Sequence, residues 1–118
     1  MGTLSRGSFD SPTESRTFDN GKFDVVKLGD VSVGRSVFEP GWRWSTSVKP
    51  IAKTDSCQTH HMGYVVSGRI TVESDEGEKL ELGPGDAYDV HPGHDAWVEG
   101  NEPYVALEFR SAEGYAKG

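Results

Sequence analysis

The segment Gly83-Pro84-Gly85-Asp86-Ala87-Tyr88-Asp89-Val90-His91-Pro92-Gly93-His94 reads as a turn, a short strand and a second turn. Upstream, Cys57, His60 and His61 cluster on another β-like stretch. Brought together inside a small barrel, two such strands gather metal-capable side chains from distant positions. Working outward, the rest of the chain has the same texture. Phe23–Leu28 ends at Gly29-Asp30, and Val31–Phe38 alternates at period two until Pro40-Gly41. Trp42 and Trp44 read as one face of a further strand, followed by Val48–Ile51 and then Cys57–Val66. Arg69–Glu73 and Glu78–Leu82 flank a hairpin tip at Asp75-Glu76-Gly77, while Ala96–Val98 and Tyr104–Phe109 complete the pattern. About nine short strands at turn spacings of roughly 8–12 residues predict an all-β antiparallel sandwich or barrel. No segment carries a convincing amphipathic helical period.

The chain has 118 residues, enough for one domain and one core. Residues 1–20 are poor in apolar side chains and read as a flexible N-terminal arm. Residues 21–110 form the predicted barrel, and 111–118 a C-terminal tail with at most one helical turn. A net charge of −7 argues against a nucleic-acid surface, which needs clustered Lys and Arg. No apolar run is long enough to span a membrane, and Met1–Asn20 lacks the apolar core of a secretory signal, so the expected location is cytoplasmic. The single cysteine, Cys57, excludes an intrachain disulfide and suits a reducing compartment.

Tyr64-Val65-Val66-Ser67-Gly68-Arg69, then Leu82-Gly83-Pro84-Gly85-Asp86 and Pro92-Gly93, resembles the cupin superfamily, in particular small single-domain bacterial cupins of an uncharacterised subgroup. The resemblance runs from about Val31 to Phe109. It implies a double-stranded β-helix, or jelly-roll barrel, often homodimeric, whose cavity holds one divalent metal. The ligand motifs depart from the family pattern. With Gly68 as anchor, the glutamate position of the first motif falls on His61, and its two histidine positions fall on Cys57 and Asp55. The histidine of the second motif falls on Ala96, which coordinates nothing, and its proline falls on His91. His94, two residues before Ala96, shares its face in a regular strand but is displaced by about 7 Å along it.

Cys57 and His61 keep the same parity on a strand and can face one interior. A thiolate with imidazoles suits zinc or another borderline-soft ion. The same pair also fits a small buried thiol beside a hydrogen-bonded histidine. His60 has the opposite parity and points outward. His91 reads as a surface residue and Asp55 as a solvated start of the strand. The candidate metal ligands are therefore Cys57, His61 and His94, with zinc first and iron, nickel, manganese or copper as the other ions. Three ligands leave an open coordination position, as catalytic zinc sites do. Glu73, Glu78 and Glu81 belong to a solvated hairpin rather than to paired catalytic acids. The resulting expectation is a homodimeric cupin barrel that binds a small molecule, through a divalent metal, with its reaction unassigned. The alternative is a metal-free ligand-binding or sensor module without catalysis. The fold alone does not choose between them.

Overall fold

The computed structural model describes residues 4–109. The antiparallel β architecture expected from the turn spacing is present, in two sheets. The larger contains β1 (Glu14–Phe18), β2 (Gly21–Leu28), β3 (Val31–Phe38), β4 (His61–Ser67), β7 (Ala87–Val90) and β9 (Tyr104–Glu108), in the order β1-β2-β3-β9-β4-β7. The smaller is β6-β5-β8, with β5 at Arg69–Ser74, β6 at Lys79–Leu82 and β8 at His94–Glu99. No helix among the described residues is long and apolar enough to cross a membrane.

Period-two alternation decides which side chains enter the space between the sheets. On β4 the inward residues are His61, Gly63 and Val65, while Met62, Tyr64 and Val66 are exposed. On β9 the buried positions are Tyr104, Ala106 and Glu108. Phe23, Val25, Phe38, Val65, Ile70, Leu82 and Ala106 fill the core, and Phe38 stacks on Trp42 with ring centroids 4.0 Å apart.

Two local expectations are corrected. Residues 14–18, read as part of the flexible arm, form β1 and pair with β2 from Glu14↔Val25 to Phe18↔Gly21. Their polar side chains hid this, because β1 is an edge strand of the larger sheet, held by its pairing with β2 and burying little apolar surface of its own. There Ser15 Oγ donates to the buried Asp24 carboxylate at 2.6 Å, and Arg35 Nη2 approaches it at 3.3 Å. The stretch after Trp42 is not extended either. It forms two single-turn helices, α1 (Trp44–Ser47) and α2 (Lys49–Ala52). Pro50 suits the first turn of α2, where a missing N–H costs nothing, and Lys53 ends it in the left-handed region at φ 61°. Single turns are too short to leave a 3.6-residue signature. Trp42 still reaches the interior, because Val98 N donates to its carbonyl at 3.1 Å and ties it to β8. The tail at 111–118 lies outside the described residues.

Gly63 is fixed by close approach. It pairs with Tyr88 on one side and Glu108 on the other. A Cβ there would lie 2.2 Å from the Leu107 carbonyl and 2.6 Å from the Tyr88 hydroxyl. Gly63→Ala is expected to destabilise the fold by about 1–3 kcal/mol, the usual range for overpacking. A melting temperature equal to that of the parent chain would refute this packing argument.

Candidate functional site

Cys57 is buried just before β4, held by main-chain hydrogen bonds to the start of β8. Its N–H donates to the His94 carbonyl, and Gly93 N–H donates to the Cys57 carbonyl, both at 2.7 Å. Gly93 adopts φ 94°, a conformation that disfavours side chains, so the Pro92-Gly93 turn delivers His94 beside Cys57. His61 enters from the first position of β4. Among the described residues, one ligand atom each from Cys57, His61 and His94 lie within 4.8 Å of one another. The His61 and His94 rings meet edge-on, with centroids 5.3 Å apart.

Each imidazole is oriented from behind. His61 Nδ1–H donates to Glu108 Oε1 at 2.7 Å, which leaves Nε2 toward Cys57 Sγ at 3.5 Å. His94 Nδ1–H donates to the His91 carbonyl at 2.8 Å, which leaves its Nε2 available. The Tyr88 hydroxyl donates to the second oxygen of Glu108. Such outer partners set the tautomer and aim of histidines that bind metals. The donor set therefore fits a borderline divalent ion: one sulfur, two aimed nitrogens and acceptors behind both rings.

The electrostatics follow from burial and pairing. Burial acts to raise the Cys57 pKa, but hydrogen bonds and charge from His61 and His94 outweigh it and bring the thiol down to about 6. Burial acts to lower the His61 pKa, and the Glu108 charge with the Cys57 contact overcomes it, raising it to about 10. Burial and Glu108 hold the Tyr88 hydroxyl far above its ordinary range. Without a metal, these shifts favour a thiolate beside an imidazolium at neutral pH.

The cavity encloses about 50 Å³, room for a few waters or a ligand of a few heavy atoms. Its wall is mainly apolar, with Phe38, Trp42, Trp44, Ile70 and Leu82, and His61, His94, Tyr88 and Glu108 form its polar end. Trp42 Nε1 is buried with no hydrogen-bond partner among the described residues. A wider groove of about 530 Å³, bordered by Glu78, Asp89 and His91, shares His94 with the cavity.

The three candidate ligands named from the sequence thus come together. Asp55 is exposed and outside the cluster, and Ala96 lines the cavity without a donor. His60 and His91 lie at the surface with Asp89. The sequence reading missed Glu108 and Tyr88. The available signal was parity: Glu108 follows Tyr104 and Ala106 on the apolar face of its strand, where a carboxylate needs a partner.

A family model for the EutQ-like cupin domain matches residues 42–106, more than half of the chain. The chain belongs to this cupin family. No curated protein matches it. Among solved structures, this cupin is similar to KdgF from a Halomonas species, at 26% identity and TM-score 0.56, covering 79% of this chain and 82% of that one. It is also similar to a Klebsiella pneumoniae protein with a double-stranded β-helix domain, at 22% identity, TM-score 0.56, and 81% and 80% coverage. A polyketide cyclase, RemF from Streptomyces resistomycificus, aligns at 14% identity and TM-score 0.66 over 93% of this chain and 80% of that one. These likenesses establish the double-stranded β-helix.

In the metal-free protein, Cys57 is expected to ionise with a midpoint near 6. His61→Gln should move that midpoint up toward the ordinary thiol value of about 8.5. Because the folded pKa is depressed, the associated stability is present above the unfolded thiol pKa and is lost as pH falls through about 6. Thiolate ultraviolet absorbance followed against pH checks this, and an unshifted midpoint in the variant would contradict it.

Proposed function

We propose that this cupin binds a small molecule in its cavity through a divalent metal held by Cys57 Sγ, His61 Nε2 and His94 Nε2. The observation that carries the reading is the hold on both imidazoles beside the thiol: each has its Nδ1–H engaged from behind, which frees its Nε2, and one ligand atom from each ring lies within 4.8 Å of the cysteine sulfur. A bare hydrogen-bonded thiol beside one histidine would not need His94 held in this way. Zinc is the preferred ion, since thiolate and imidazole are its usual protein donors, and iron, nickel, manganese or copper are the others. Bound there, a metal with an open position supplies Lewis-acid polarisation or an activated water.

The chain's own residues supply the rest. Glu108 keeps the proton on His61 Nδ1 and sets the ring, and Tyr88 occupies the other carboxylate oxygen so that Glu108 cannot turn away. The aromatic and aliphatic wall restricts bulk water. The space is small and mainly apolar, so the ligand suited to it is compact. The groove beyond His94 is the route by which such a ligand arrives.

Metal analysis of untagged protein tests the reading. Stoichiometric zinc or another of these ions is expected in the parent chain, and Cys57→Ala/His61→Ala is expected to carry one equivalent less. Absence of metal, with melting unchanged by any added ion, would leave a metal-free ligand-binding module in its place. Metal loading at pH 7 is further expected to release about one proton, from His61 Nε2, because the thiol is already ionised. Calorimetry in buffers of different ionisation enthalpy measures this, and a buffer-independent heat would refute it.

A further inference from the structure

We propose that His60, Asp89 and His91 form a second divalent-metal site, on the outer surface beside the mouth of the barrel. One ligand atom from each lies within 4.8 Å of the others. His60 Nε2 is 2.5 Å from Asp89 Oδ1 and His91 Nε2 is 3.3 Å from Asp89 Oδ2, so two imidazoles share one carboxylate. The rings have centroids 4.7 Å apart and are tilted by 53°, rather than stacked flat.

The strands impose this grouping. In the antiparallel pair of β4 and β7, His61 lies opposite Val90 and Met62 opposite Asp89. One step beyond the last pair, the same register sets His60 against His91. Asp89 and His91 are two residues apart and so share a face. Consecutive residues thus serve opposite sides of the barrel wall: His61 turns inward to Cys57, and His60 turns outward to Asp89.

Two imidazole nitrogens and one carboxylate make a donor set for zinc, nickel, copper or ferrous iron, and solvent exposure leaves the remaining coordination positions to water or an incoming ligand. His91 and Asp89 are well exposed, with 73% and 48% of their side-chain surface accessible, so an ion reaches them without any opening of the fold. Both also border the groove that shares His94 with the cavity. His91 belongs to both arrangements, with its ring in the outer cluster and its carbonyl accepting from His94 Nδ1. An ion outside would therefore stiffen the loop that aims His94 inside.

This inference does not depend on the cavity holding a metal, and the test keeps the two apart. Zinc is titrated into untagged parent protein, His60→Ala/His91→Ala and Cys57→Ala/His61→Ala, with bound metal counted after equilibrium dialysis. The surface double variant is expected to melt like the parent and to bind one equivalent of zinc fewer. Asp89→Asn should weaken that same equivalent at least tenfold. The cavity variant should retain it, with zinc-induced shifts of the His60 and His91 ring resonances. If the cavity binds nothing, the parent still binds one equivalent and the surface variant none. Equal zinc in parent and surface variant overturns the outer site. That comparison decides even if the cavity variant fails to fold.

Discussion

The contact between Glu108 and His61 organises this molecule. A carboxylate on the apolar face of the final strand is costly to bury alone, and it is tolerated because His61 and Tyr88 take its two oxygens. That requirement fixes the relation of three neighbouring strands, since Glu108, His61 and Tyr88 come from β9, β4 and β7. Gly63, lying between Tyr88 and Glu108 in the register, keeps the passage clear. The polar cluster is thus built into the sheet rather than attached to a loop, which suits a site that must hold its geometry.

The second constraint joins the sheets. Main-chain hydrogen bonds between Cys57 and the Gly93-His94 segment bring a chain entering the larger sheet against a strand of the smaller one. This crossing sets sulfur and imidazole side by side at the end of the cavity. The tie between Trp42 and Val98 brings the aromatic wall to the same strand, β8. Polar end and apolar wall are therefore both referenced to β8, so small changes in its register would disturb the whole interior.

Much of this architecture was legible along the chain. The alternation in Val31–Phe38, the Gly83–Asp86 turn and the spacing of Gly, Pro and Asp gave the strands, and the cupin resemblance gave their arrangement. The polar strand β1 and the helical turns after Trp42 were not legible. In the first, pairing depends on the neighbouring strand at the sheet edge, and in the second a single turn has no period to detect. The parity of Cys57 and His61 was readable, and so was the outward parity of His60. The partnership of His60 with Asp89 and His91 was not, because it depends on the register of two separated strands.

The sequence by itself determined an all-β cupin barrel and a short set of residues with metal-capable side chains, because local alternation and turn chemistry act over a few residues. Only the tertiary structure decided that His94, rather than Asp55 or His91, stands with Cys57 and His61, and that Glu108 and Tyr88 stand behind them. Those relations arise across strand pairs and between sheets. Hydrogen-bond register and a left-handed glycine turn govern them there, and neither is encoded in the spacing of the residues they join.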